Sequence, residues 1–343
     1  MAANSSSPHS RSQHSPSAPL SWKDGARVVW TAVAILLGGT AASAAAEPYP
    51  THPIRLVVGF LAGGPTDIPA RFIADRLSTQ LGQKVYVENK PGAGGMIALN
   101  DVLAQPRDGY NLSFCTYFDA INTLLYQNVS YKLADIAPIT MVSKYYYLIA
   151  LAKSVPVDTF TQFVGYAKAH PGDILYGTVG AGSTQELVAH ELEKTAGISM
   201  TKVPFKGANE ITQEMVAGRV HFQVGPPIAI GPYYKSGQLK VLATTSPQRL
   251  DSFPDIPSLT ELGYKLTPYG WLGVCAGAGT PQPIVDLLNR HIVSITNSDE
   301  YRQFMEKTGN IPVAMTPEQF GRAITATVDD AAPTIHEFHM QIQ

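Results

Sequence analysis

Cysteine is scarce: the 343 residues hold two, Cys115 and Cys275. That excludes a disulfide-dense scaffold, and no Cys/His cluster has the spacing of a metal site. Each cysteine lies inside an apolar run (LSFCTY and WLGVCAG), so the first expectation is two small buried hydrophobes, a bridge between them being the alternative. Charge is thin as well, 15% of residues with a formal net charge of −2, which leaves no basic face for nucleic acid. With 45% hydrophobic residues the chain still has enough apolar material for two domains with separate cores.

Long hydrophobic runs are also few. Residues 28–40 (VVWTAVAILLGGT) follow a leader rich in Ser, Pro and His that carries Arg11, Lys23 and Arg27, and precede the small residues AASAAA at 41–46. The strongly apolar part is shorter than the roughly 20 residues a spanning helix needs. Residues 1–46 therefore read as an export signal cleaved near Ala46, with an uncleaved anchor as the competing reading.

Catalytic signatures are missing in the same way. Ser183 sits in GAGST rather than in G-x-S-x-G, and the stretches from His190 and His336 both fail H-E-x-x-H. The run KPGAGG at 90–95 breaks the dinucleotide fingerprint at Ile97 and reads as a structural turn. His221 reads as a residue of a partly exposed strand face and His170, before Pro171, as the end of a helix, neither a better base than a solvated histidine, and the triplet Tyr145-Tyr146-Tyr147 reads as strand packing. No catalytic residue, metal ligand or cofactor is expected.

What the sequence does have is alternation of strand and helix. Residues 54–60, 84–88 and 111–116 read as strands, with helices over 66–81 and 95–104 between them. The pattern restarts with strands at 145–152, 175–178, 201–203, 220–224 and 240–244 and helices at 160–170, 184–197 and 209–217. A strand at 271–276 and helices at 281–294, 300–307 and 317–328 close the chain. Such an order predicts an α/β protein of two halves, each an open, largely parallel sheet with crossover helices, and a ligand cleft between them. The expected division is 47–142 plus 265–343 as a discontinuous first domain and 143–264 as an inserted second one. The hinge is placed near 137–143 and 257–269.

Two glycine-rich loops, one per half, open helices. GFLAGGPTD at 59–67 runs from a strand into a helix that Thr66 can cap with its hydroxyl. YGTVGAGSTQE at 176–186 does the same, with Ser183 and Glu186 matching the capping box. Free N–H groups at a helix start seat an anion. Phosphate is disfavoured, because no Lys follows the glycines as in G-x-x-x-x-G-K-[ST].

Taken in order, AGGPTDIPAR (62–71), VENKPGAGG (87–95), DGYNL (108–112), YGTVGAGSTQEL (176–187), VPFKG (203–207) and LATTSPQR with FPDIPSLTELGY (242–264) resemble the receptors of tripartite tricarboxylate transporters, the Bug or TctC-like family. The resemblance implies a two-domain, type II-like periplasmic binding protein, two open mixed sheets flanked by helices, that closes on a small organic acid in the cleft between them. It further implies a monomer that delivers the acid to membrane permease subunits. The first ligand loop then falls on Phe60, Leu61, Ala62, Gly63, Gly64, Thr66 and Asp67. The second falls on Gly180, Ala181, Gly182, Ser183 and Thr184, with flanking contacts from Thr116, Tyr117, Phe118, Phe205, Lys206 and Gly207. Gly225 stands where relatives often carry an Asp, so an amino group on the ligand loses a partner. That tilts the expectation toward a plain dicarboxylate or an aromatic carboxylate. An exported hydrolase acting on a small ester, and a sensor or interaction protein with no transport role, are the alternatives.

Overall fold

The structure, a computed structural model, describes residues 49–180 and 182–340. The expected export signal over 1–46, its cleavage point at Ala46, and Ala181 lie outside the described residues. The chain begins with β1 (Ile54–Val58), α1 (Asp67–Leu81), β2 (Val85–Asn89), α2 (Met96–Leu103), β3 (Asn111–Phe114) and α3 (Tyr117–Leu125). It continues through β4 (Ile136–Tyr146), β5 (Leu148–Ala152), α4 (Phe160–Ala169), β6 (Leu175–Thr178), α5 (Thr184–Ala196) and β7 (Thr201–Pro204). Next come α6 (Ala208–Val216), β8 (Phe222–Gly225), α7 (Pro227–Lys235) and β9 (Leu239–Thr244). The last elements are β10 (Tyr269–Gly277), α8 (Gln282–Thr296), α9 (Asp299–Thr308), β11 (Ile311–Pro312) and α10 (Pro317–Glu337).

These strands make two mixed sheets, ordered β11-β4-β10-β3-β1-β2 and β7-β6-β8-β5-β9. In the first, β2, β1 and β3 run parallel while β10 and β11 join antiparallel; in the second, β7, β6 and β8 are parallel and β5 is antiparallel to both β8 and β9. Helices cover both faces of a parallel segment, so its strands are apolar throughout rather than alternating. β1 obeys this: of IRLVV only Arg55 is not fully buried. Ile73 and Leu77 of α1 and Leu288 and Ile292 of α8 pack in the core formed on that sheet. Gly82, in the left-handed conformation at φ 66°, ends α1. The second sheet has a separate core around Ile149, Leu151, Phe163, Leu192 and Phe222.

The chain crosses between the sheets twice, at Tyr147 and over residues 245–268. Thr245, fully buried, joins the crossings: its Oγ1 accepts the Tyr147 N–H at 2.9 Å and donates to the Pro268 carbonyl at 2.7 Å. The crossing expected near residues 137–143 falls later, at Tyr147: residues 137–143 lie inside β4, paired to β10 with two register shifts.

The two cysteines are also corrected. Cys115 and Cys275 form a disulfide, with Cα atoms 5.9 Å apart. β10 runs antiparallel beside β3, Cys275 pairs with Ser113, and the Gly273 N–H bonds the Cys115 carbonyl, which brings the side chains within bonding reach. Both remain buried among Trp271, Met141 and Phe320, so the apolar environment read from the sequence holds while the free thiols do not.

Candidate functional site

Strands β1, β3, β6, β7 and β8 all end facing one space, and each feeds a helix there: α1, α3, α5, α6 and α7. The cavity between them has a volume of about 180 Å³. Its first wall comes from the loop before α1, namely Phe60, Leu61, Ala62, Gly64, Pro65 and Thr66, with Thr116 and Phe118 at the start of α3. The opposite wall comes from Val179, Gln185, Pro226 and the start of α6 from Lys206 to Glu210. Tyr145 of β4 and Leu272 of β10 form its back. Phe60 and Phe118 pack tilted, with ring centroids 5.5 Å apart.

Each loop is fixed by an acidic side chain from the helix it opens. Asp67, buried, accepts the Gly63 N–H at 2.8 Å, and Arg71 and Asn89 hold its carboxylate from the other side at 2.8 Å each. Burial pushes the Asp67 carboxyl up, but those hydrogen bonds outweigh it and hold it below the usual carboxylate range. Glu186 repeats the device in the second half, accepting the Gly182 N–H at 3.0 Å, with Lys202 and His190 against its other oxygen. Gly63 and Gly182 have matching left-handed backbones, φ 73° and 72°, which glycine adopts without strain. Glu210 takes the Lys206 N–H at 3.1 Å and Asp119 takes the Thr116 N–H at 2.7 Å. The acids thus shape the loops and occupy some of their donors.

Other donors stay open. Among the described residues the N–H groups of Ala62, Thr66, Ala208 and Asn209 have no protein acceptor. The Thr66 hydroxyl, expected to cap α1, makes no capping bond and lines the cavity instead. Neither α6, which starts after Gly207, nor α7, which starts after Pro226, has a side-chain cap. Uncapped starts leave partial positive charge facing the cavity from both walls. Gln185, 5% exposed, adds an amide whose Oε1 has no partner. Lys206 stands exposed at the rim with no ion pair among the described residues. The mouth is narrow: Asn209 Nδ2 donates across it to the Gly63 carbonyl at 3.3 Å.

Of the residues expected from the sequence, Phe60, Leu61, Ala62, Gly64, Thr66, Thr116, Phe118, Lys206 and Gly207 line this cavity. Gly63 and Asp67 stand behind it as the loop's brace. Ser183, 1% exposed, has its hydroxyl committed to the Glu186 N–H and to Thr178 Oγ1 at 2.7 Å and is not among the residues lining this cavity. Gly182 packs against Leu125, Gly180 bonds back to Thr178, Phe205 joins an apolar cluster, and Gly225 is enclosed by Ile230 and Gln223. Tyr117 and Thr184 face a different cavity, behind the crossing strands. The sequence reading missed Tyr145, Val179, Gln185, Ala208, Asn209, Glu210, Pro226 and Leu272. Gln185, in the first turn after Ser183, and residues 208–210, directly after VPFKG, had a local signal.

Asp119 introduces a pH effect. Burial pushes its carboxyl up to about 7, against the lowering effect of its bonds to Thr116. A carboxyl raised in the folded state gives stability that is fully present below its unfolded value and lost as pH rises through the folded one. Stability should therefore fall from about pH 4 to about pH 7, and Asp119→Asn should flatten that slope in urea unfolding measured across the same range.

Comparison with known proteins places the chain. The family model described as the tripartite tricarboxylate transporter family receptor matches residues 69–340. A Cupriavidus necator protein, "UPF0065 protein in gbd 5'region", is 33% identical over 86% of this chain and 90% of its own length. BugT of Bordetella pertussis is 31% identical over 88% and 94%. Among solved structures, R. palustris Rpa4515 with adipate superposes with a TM-score of 0.81 at 30% identity, over 84% of this chain and 98% of that one. The periplasmic binding protein BugD gives 0.81 at 28%, over 86% and 100%. The two-lobed α/β fold is that of periplasmic binding proteins, and the chain belongs to the tripartite tricarboxylate transporter receptor family.

Proposed function

We propose that this chain is an exported, monomeric receptor that takes up a short aliphatic dicarboxylate without an α-amino group and passes it, unchanged, to the permease subunits of a tripartite transporter. The observation that carries this reading is the set of open N–H groups at uncapped helix starts on both walls, with Lys206 at the rim. One carboxylate would receive the Ala62 and Thr66 N–H groups, and the other those of Ala208 and Asn209 or the Lys206 ammonium. The apolar chain between them would lie against Phe60, Phe118, Tyr145 and Leu272. The adipate in the R. palustris relative supports that ligand class. The aromatic walls favour a second reading, an aromatic carboxylate. A division into 47–142 plus 265–343 and 143–264, its first boundary moved to the crossing at Tyr147, would let the halves close about Thr245, which bonds both crossings.

Gln185→Leu separates binding from folding. The substitution removes a buried amide with an unpartnered oxygen, so unfolding stability should hold or rise, while acid affinity should fall about tenfold. Calorimetric titration with adipate and benzoate checks it and chooses between the two ligand readings. Unaltered affinity for every bound acid would remove Gln185 from the site.

A further inference from the structure

Behind the crossing strands lies a larger cavity, of about 520 Å³, that the carboxylate reading does not use. One wall is α5, another the crossover at residues 265–269, and the rest come from the start of α3 and from α10, so both lobes contribute. Its partition from the front cleft consists of neighbouring residues. Phe118 and Gln185 face the cleft, whereas Tyr117 and Thr184, each one residue earlier, face the rear cavity.

We propose that the rear cavity is a second binding site, for a small organic ammonium ion, coupled to the front cleft through the first turns of α3 and α5. Carboxylates stand on walls from opposite lobes, Glu191 on α5 and Asp330 on α10, and neither has an ion pair among the described residues. Glu191 accepts a bond from Thr334 at 3.2 Å, which fixes its carboxylate against α10. Lys265, exposed on the crossover, is the one cation among the lining residues, so the acids outnumber it. Tyr117 and Tyr269 add aromatic rings, which attract ammonium ions over their faces. Burial holds both phenols protonated, with the Asp330 charge acting in the same direction. The hydroxyl of Thr184, 1% exposed, lines the cavity beside the phenols of Tyr117 and Tyr147 but forms no hydrogen bond of normal geometry with either, which leaves it open to an ammonium N–H.

An ion bridging Glu191 and Asp330 spans the lobes and biases their separation. Acid and amine therefore alter each other's affinity by the same factor. Only this coupling rests on the receptor reading; the site itself does not. The test is calorimetric titration of the purified protein with 1,4-diaminobutane, first with no acid present. Saturable binding that weakens about tenfold in Glu191→Gln and in Asp330→Asn, but survives Gln185→Leu, is expected. Asp330 is exposed, so its substitution leaves the core intact. No saturation up to about 10 mM, or binding indifferent to both substitutions, overturns the site. A repeat with adipate saturating should change the diamine affinity, and an identical constant overturns the coupling.

Discussion

Gly64→Val is expected to abolish acid binding, by more than about a hundredfold, while leaving the unfolding temperature within a few degrees of the parent. Gly64 is buried and lines the cavity, so the added side chain takes volume from a space of only about 180 Å³. Its Cβ would lie 3.0 Å from the Leu61 carbonyl oxygen, which forces the loop to shift by a few tenths of an ångström. The Gly64 N–H bonds that same carbonyl at 3.3 Å, so the shift disturbs the turn presenting Ala62 and Thr66. Gly64 is not in the left-handed region, and the backbone itself tolerates valine. Gly63→Val is the contrast: its Cβ meets open space, but φ of 73° strains any branched residue, so there stability falls by about 1–2 kcal/mol. Calorimetry with adipate beside thermal unfolding reads both effects. Undiminished affinity in Gly64→Val would refute the assignment of the first loop.

The second large effect is expected from the disulfide. Cys115 and Cys275 are 160 residues apart, and closing so long a loop restricts the unfolded chain strongly. Cys115→Ala with Cys275→Ala should destabilise by about 3–5 kcal/mol, a fall in unfolding temperature of roughly 5–10 °C for a chain of this length. Reductant should lower the parent's unfolding temperature comparably and leave the double variant unmoved. Because both sulfurs are buried, the bond should resist reductant until the protein unfolds. Two free thiols titrated in the oxidised, unfolded parent would contradict the bond.

The strand–helix alternation of each half was legible because parallel strands and their crossover helices carry local signals, such as the apolar run of β1 and Gly82 after α1. The glycine loops were legible for the same reason: Gly63 and Gly182 are needed where the backbone turns left-handed. What escaped the sequence was mostly non-local. The length of β4 depends on its pairing with β10, which lies more than a hundred residues later, and so does the bond between Cys115 and Cys275. α7, which follows Pro226, starts at Pro227 and contains Pro232, went unread, because proline is tolerated in a first turn but is no signal of a helix beyond it. α3 went unread beside its capping pair, Thr116 and Asp119. Tyr145 read as strand packing, since nothing local says which face of β4 meets the cleft. Tyr117 and Thr184 lie next in sequence to cleft residues yet face the other cavity, a distinction that requires the direction of each side chain from its helix.

The most direct test of the central claim, that open N–H groups on both walls hold a carboxylate, is thermal unfolding against adipate, dimethyl adipate, 2-aminoadipate and benzoate. A solute that binds only the folded protein raises its apparent stability by RT ln(1 + [L]/Kd). A concentration-dependent rise with adipate, a smaller one with 2-aminoadipate and none with the diester is the expected result. An equal rise with the diester, or a preference for the amino acid over the plain acid, would contradict it.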